Sequence, residues 1–152
     1  MAITALYIAN NILDIAFKNH VKITPIKLQR LLYLVYNGYL KQTGSTLFNE
    51  PFVTFAYGPV CESVYYKFKC FGAKPITRYA TDAHGGITMV DTKHNSVLRH
   101  ILSDIEAIYL TMPINNLCEL VRQPGTAWYN AYQSNRRELT RKDVENDPCF
   151  RI

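Results

Sequence analysis

The chain has 152 residues, the length of one domain built on one core. Hydrophobic residues make up 48% and charged residues 19%, enough apolar surface to offset chain entropy, which excludes an intrinsically disordered segment. The net charge of +5 is unevenly placed: up to Ala80 there are nine Lys/Arg against three Asp/Glu, and beyond it eight against nine, so the basic character is local and suits an acidic partner.

In chain order, Ile8, Ile12, Ile15 and Ala16 recur at the spacing of an amphipathic helix over Thr4 to Lys18, with Asn19 and His20 as stop residues. Thr24 as N-cap and Pro25 at the first helical position open a second helix, which puts Leu28, Leu31, Leu32, Val35 and Tyr39 on one face and ends at Gly44. The β-branched and aromatic run Phe52 to Tyr57 predicts a strand, broken at Gly58-Pro59. Pro59 is then the expected start of a third helix, with Val60, Val64, Tyr65, Phe68 and Phe71 inward and Gly72 just past its end. Pro75 to Val90 reads as a hairpin around Asp82-Ala83-His84-Gly85, adding two strands to a small sheet. Helical period returns from Asn95 to Leu110. Three shorter helices follow, Pro113 to Arg122, Ala127 to Gln133 behind Thr126, and Arg141 to Asn146, where Thr140 and Asp143 have the spacing of a capping box.

The fold class expected is therefore mainly α with a small β element, an α+β arrangement in a single domain spanning residues 1–152, with no internal repeat or linker. The apolar stretches, such as Leu31 to Val35, fall far short of the roughly 20 residues of a membrane span. Met1 to Lys18 carries Asp14 and no small-residue cleavage site. Cys61, Cys70, Cys118 and Cys149 are widely spaced with no C-x-x-C pair, as suits isolated thiols in a reducing compartment. A cytoplasmic protein that does not contact membrane is the expectation.

Signatures of catalysis are weak. His84, His94 and His100 have no cysteine nearby to complete a zinc set, Gly85-Gly86 lacks the Lys and Ser/Thr of a phosphate loop, and no local pattern marks a Cys-His nucleophile. No enzyme activity and no cofactor are expected. For nucleic acid there are two basic clusters, Lys67, Lys69, Lys74 and Arg78 beside Tyr65, Tyr66 and Tyr79, and Arg136, Arg137, Arg141 and Lys142. Neither forms a known module, and the first two helices lack the tight spacing of a helix-turn-helix.

Two segments are more specific: Lys27-Leu28-Gln29-Arg30-Leu31-Leu32-Tyr33, and Phe55-Ala56-Tyr57-Gly58-Pro59-Val60 followed by Val64-Tyr65 and Phe68. Leu47-Phe48-Asn49-Glu50 precedes the second. In order and spacing they resemble the SocA-like antitoxin (Panacea) family, with its K-L-Q-K-L-L-Y-like helix, its L-F-x-E, and a Y-G-P-V turn opening the next helix. The resemblance extends more weakly through Leu117 to Trp128. Arg30 stands where the family usually has Lys, Phe55 where it tends to have Trp, Arg122 in the region where many members have Thr-His, and Ala127 where Pro precedes the Trp.

The resemblance implies a mainly helical domain that neutralises a cognate toxin by binding it, with delivery of the toxin to a protease as a variant, and a frequent origin in phages and prophages. The alternatives are a phage anti-defence or adaptor protein that binds a host protein, and a nucleic-acid-binding regulator using the basic N-terminal half. The residues expected to bind the partner are Lys27, Arg30, Tyr33, Tyr57, Gly58, Pro59 and Tyr65. Lys27 and Arg30 lie three apart beside the leucine stripe, where long cations can meet an acidic protein surface, with Tyr33 three beyond Arg30. Gly58 supplies backbone freedom and Pro59 rigidity, which together hold Tyr57 in place.

Overall fold

Threonine hydroxyls start the two longest helices. In the computed structural model, which describes residues 2–148 and 150, Thr4 accepts from the Tyr7 N–H to open α1 (Ala5–Lys18), and Thr24 accepts from the Lys27 N–H to open α2 (Pro25–Thr43). Pro25 occupies the first turn of α2, and Gly44 closes it in the left-handed conformation that favours glycine.

α2 is the central helix, and every residue from Leu28 to Asn37 is buried. Around it pack α1, the strands β1 (Phe52–Phe55) and β2 (Gly58–Cys61), α3 (Glu62–Phe68), α4 (Ser96–Asp104), α5 (Ile114–Arg122) and α7 (Arg141–Glu145). α6 (Ala127–Gln133) bridges α5, α7 and β1. Most buried apolar side chains form one cluster that runs from Ala5 to Val144. The protein is mainly α with a single two-stranded antiparallel sheet among the described residues, an α+β fold.

The β element differs from expectation in both of its parts. The strand Phe52–Phe55 is present, but its partner is the next four residues, in the register Phe52↔Cys61, Val53↔Val60, Thr54↔Pro59 and Phe55↔Gly58. Pro59 therefore lies in a strand, and α3 starts at Glu62. The outer side of β2 is held by α2: Gln29 donates to the Cys61 carbonyl (3.2 Å) and accepts from its N–H (2.9 Å), and Arg30 donates to the Tyr57 and Pro59 carbonyls. These side chains satisfy backbone groups that a helical turn would otherwise have engaged, and a strand edge that cannot use a proline N–H is where proline is tolerated.

The segment from Pro75 to Val90 contains no strand. The Asp82 turn forms, with its carboxylate accepting from the His84 and Gly86 N–H groups at 2.9 Å. The flanks pair with side chains instead of with each other: Asn10 donates to Ala80 (3.0 Å) and Thr88 (2.9 Å) and accepts from the Ala80 N–H (2.8 Å), while Asn11 exchanges two 2.9 Å bonds with Val90. Two buried amides of α1 thus do the work of a β ladder.

The helix expected from Asn95 to Leu110 is α4 followed by a π-helical turn at Ile105–Tyr109, closed by the bond from the Leu110 N–H to the Ile105 carbonyl at 2.8 Å. The three C-terminal helices lie where the sequence puts them, α6 capped by Thr126 and α7 by a full Thr140/Asp143 capping box. Cys61, Cys70 and Cys118 are free thiols; Cys149 is outside the described residues. Among the described residues no helix is long and apolar enough to cross a membrane, and no group of three His, Cys, Asp or Glu side chains is placed to hold a metal ion.

Candidate protein-binding surface

The hairpin turn Phe55-Ala56-Tyr57-Gly58 projects from the body, and its aromatic residues face solvent, Tyr57 at 66% exposure. Its shape is fixed from beneath. Gly58 has φ +131°, a conformation that side-chain-bearing residues avoid, and a Cβ there would overlap the Arg30 guanidinium. Arg30 itself is 0% exposed and reaches under the turn to grip the carbonyls on both sides of Gly58, with Pro59 at 2.7 Å. Burial above all, offset by Cys118 and reinforced by the neighbouring charge of Arg122, pushes the Arg30 guanidinium down to about 10. It remains a cation at neutral pH, held by carbonyl dipoles, and among the described residues no carboxylate pairs with it.

An aromatic path extends from this turn in two directions. Towards α3, the Phe55 ring meets Tyr65 edge-on (5.5 Å), and Tyr65 meets Tyr66 (5.4 Å), which is 60% exposed and lies under the Lys69 ammonium. Towards α6, the Trp128 indole N–H donates to the Phe55 carbonyl (2.7 Å), Trp128 stacks on exposed Tyr132 (4.6 Å), and the Arg122 guanidinium sits 5.3 Å from the Trp128 ring. Phe55, Tyr66 and Tyr132 thus stand exposed along one continuous set of ring and hydrogen-bond contacts, with exposed Tyr57 beside Phe55 in the turn, the composition that marks the energetic centres of protein interfaces.

The residues expected to bind a partner separate into two groups. Tyr57 and the half-buried Tyr65 belong to this surface, with Gly58 and Pro59 buried as its support. Arg30 and Tyr33 lie in the interior and present no side chain to a partner. The flanking face assigned to them does not exist, because α2 is buried on all sides over that stretch and a long cation there has only internal acceptors. Tyr33 instead donates to Asp147, whose carboxylate also accepts from the Ala127 N–H (2.5 Å) and Asn37 (3.4 Å), tying α2, α6 and the C-terminal segment together. Burial raises the Asp147 carboxyl and, with the adjacent carboxylate, holds the Tyr33 phenol well above its ordinary value. Lys27 is partly buried at the start of α2, and desolvation pushes its ammonium down.

The C-terminal basic cluster is largely ion-paired, whereas Lys67, Lys69, Lys74 and Arg78 are exposed and pair with no carboxylate among the described residues. Arg136 pairs with Asp143 (2.8 Å), Arg137 with Glu62 (2.9 Å) and Arg141 with Glu145 (2.7 Å). Arg78 lies over Phe71, and Tyr79 turns inward to donate to Asp14 (2.8 Å). Gln29, Phe55, Arg122, Trp128 and Tyr132 complete the surface and its support without having been singled out as partner-binding. A polar Gln-Arg pair inside a leucine-rich helix is the one sequence signal that pointed to buried clamps.

Residues 28–129, from the buried stretch of α2 through the hairpin to Trp128 and Tyr129, match the model of the antitoxin SocA-like family, Panacea domain. The chain belongs to this family. Among curated proteins, Antitoxin SocA of Caulobacter vibrioides (strain NA1000 / CB15N) is 30% identical over 122 residues, which are 79% of this chain and 64% of that protein. The chain therefore corresponds to somewhat under two thirds of the length of that SocA-like relative. No solved structure matches the chain. The Panacea match takes in both α2 clamps, the hairpin, Arg122 and Trp128, and leaves out α1, which holds the Asn10 and Asn11 anchors, and α7.

Proposed function

We propose that this chain, acting as one unit over residues 1–152 in the cytoplasm, is the antitoxin of a phage- or prophage-borne toxin–antitoxin pair and neutralises its cognate toxin by stoichiometric binding, without cofactor or catalysis. Membership of the SocA-like family supports the antitoxin role. The observation that carries the mode of action is the exposed aromatic turn at Phe55 and Tyr57, braced from inside by Arg30. A pre-organised aromatic projection loses little conformational freedom when it is covered, so its burial converts efficiently into affinity. Delivery of the bound toxin to a protease uses the same contact and leaves a second face for the protease.

Co-expression with the product of the adjacent gene tests the reading. Growth arrest caused by that product should be relieved, and the two proteins should co-purify; persistent arrest with both proteins soluble removes the antitoxin assignment. The nucleic-acid alternative predicts affinity that falls steeply with salt as counterions are released. The internal pairing of Arg136, Arg137 and Arg141 removes the C-terminal cluster from that alternative and leaves it to exposed Lys67, Lys69, Lys74 and Arg78.

A further inference from the structure

Among the described residues, two guanidinium groups near the aromatic turn pair with no anion. Among the described residues Arg122 makes no hydrogen bond or ion pair; its Nε is buried without a partner, and its only specific contact is the face of Trp128. Arg30 is fully buried and donates to the Tyr57 and Pro59 carbonyls, yet its Nε also has no partner. Each charge lies within electrostatic reach of the other, and among the described residues no carboxylate pairs with either. Glu119, three residues before Arg122 on α5, is exposed and does not pair with it. Exposed Lys67 and Lys69 of the α3 side add to the same sign. A buried or half-buried cation without a counterion is costly, and the arrangement becomes favourable when an anion arrives.

We infer that this surface receives an acidic segment of the partner protein, with a carboxylate seated on Arg122 beside Trp128 and neighbouring apolar side chains covering Phe55 and Tyr57. This rests on the antitoxin reading and names the chemistry of the toxin's contact. A planar guanidinium holds a carboxylate through two parallel bonds, and the adjacent aromatic edge supplies area for the apolar residues that flank it. A polypeptide offers both kinds of group at the required closeness. A nucleic acid instead needs a run of free cations to track its phosphates; with three C-terminal arginines paired internally it would depend on Lys67, Lys69, Lys74 and Arg78, and an oligouridylate probe separates that outcome.

Trp128 is the only tryptophan in the chain, so its emission reports on this site. The probes are a short peptide alternating Glu with Leu, the same peptide with Lys for Glu, and a single-stranded oligouridylate. The Glu peptide should shift Trp128 emission and the Arg122 Nε–H resonance, more weakly as salt is raised, and Arg122→Gln should weaken it by at least about tenfold, the loss of one charge-assisted contact. Lys93→Gln, on the segment before α4, should leave the affinity unchanged. The inference is overturned by an unmoved Arg122 resonance at millimolar Glu peptide, by an equal response to the Lys peptide, by tighter binding of the oligouridylate, or by wild-type affinity in a folded Arg122→Gln protein. The wild-type resonance decides the matter if that variant does not fold. Peptide binding without relief of toxicity in co-expression would remove the antitoxin reading and leave the acidic-segment site standing; relief of toxicity with no peptide response would do the reverse.

Discussion

Arg30 shows how far a side chain's role depends on what faces it. Three residues from Lys27 and flanked by leucines, it has the spacing of a helix-edge cation, yet it is the internal brace of the hairpin. Arg30→Glu would set an acceptor-only carboxylate against two carbonyl oxygens in the interior. We expect a loss of at least about 3 kcal/mol, enough to lower the midpoint of the thermal transition followed by circular dichroism by about 6–12 °C. Gly58→Ala tests the other half of the device. The strained φ costs about 1–3 kcal/mol by itself, and displacement of the Arg30 guanidinium adds to it. An unchanged urea midpoint for Gly58→Ala would show that the turn relaxes freely and that Arg30 does not fix it.

At the level of elements, the loop from Pro75 to Val90 is held chiefly by Asn10 and Asn11 of α1. Replacing either with Ala leaves buried backbone groups unpaired and should cost about 1–3 kcal/mol, with faster amide hydrogen exchange at Ala80 for Asn10→Ala and at Val90 for Asn11→Ala. The capping box of α7 adds a pH dependence. The Arg136 hydrogen bond is the main cause of a lowered Asp143 carboxyl, so its contribution is present above the unfolded value near 3.8 and is lost as pH falls through the lower folded value. Asp147 has the opposite sign. Its folded value is raised by burial, so the folded state takes up its proton first, and acidification through that raised value favours folding at this group. Asp143→Asn should therefore flatten the acid limb of a stability-against-pH curve and Asp147→Asn should steepen it, as urea denaturation at several pH values would measure.

For the molecule as a whole, folding and binding draw on different side chains. The core runs through α2, and Tyr57 lies outside it at the solvent-facing turn. Tyr57→Ala should shift stability by no more than about 0.5 kcal/mol, as is usual for surface positions. Its effect on toxin binding should be that of a central interface residue, about 2 kcal/mol or more, read by calorimetry with the co-purified toxin. Equal losses of stability and binding would place Tyr57 in the scaffold.

The sequence by itself determined the helices whose ends carry their own chemistry. Thr4, Thr24-Pro25, Gly44, Thr126 and the Thr140/Asp143 pair act on backbone groups within one turn, so their effect needs no knowledge of the rest of the chain. The position of the Tyr57-Gly58-Pro59 turn was legible for a related reason: local backbone constraints write themselves as Gly and Pro. The tertiary structure decided what those segments face. Pro59 entered a strand because Arg30 and Gln29, nearly thirty residues or more away in sequence, satisfied its carbonyl and the groups of Cys61. The Pro75 to Val90 flanks stayed out of a sheet because the amides of α1 reached them first. Burial, too, is a property of neighbours: the leucine stripe of α2 implied a solvent face, and only the packing of helices and strands around it turned Arg30 and Tyr33 inward and left Tyr57, Tyr66 and Tyr132 outside.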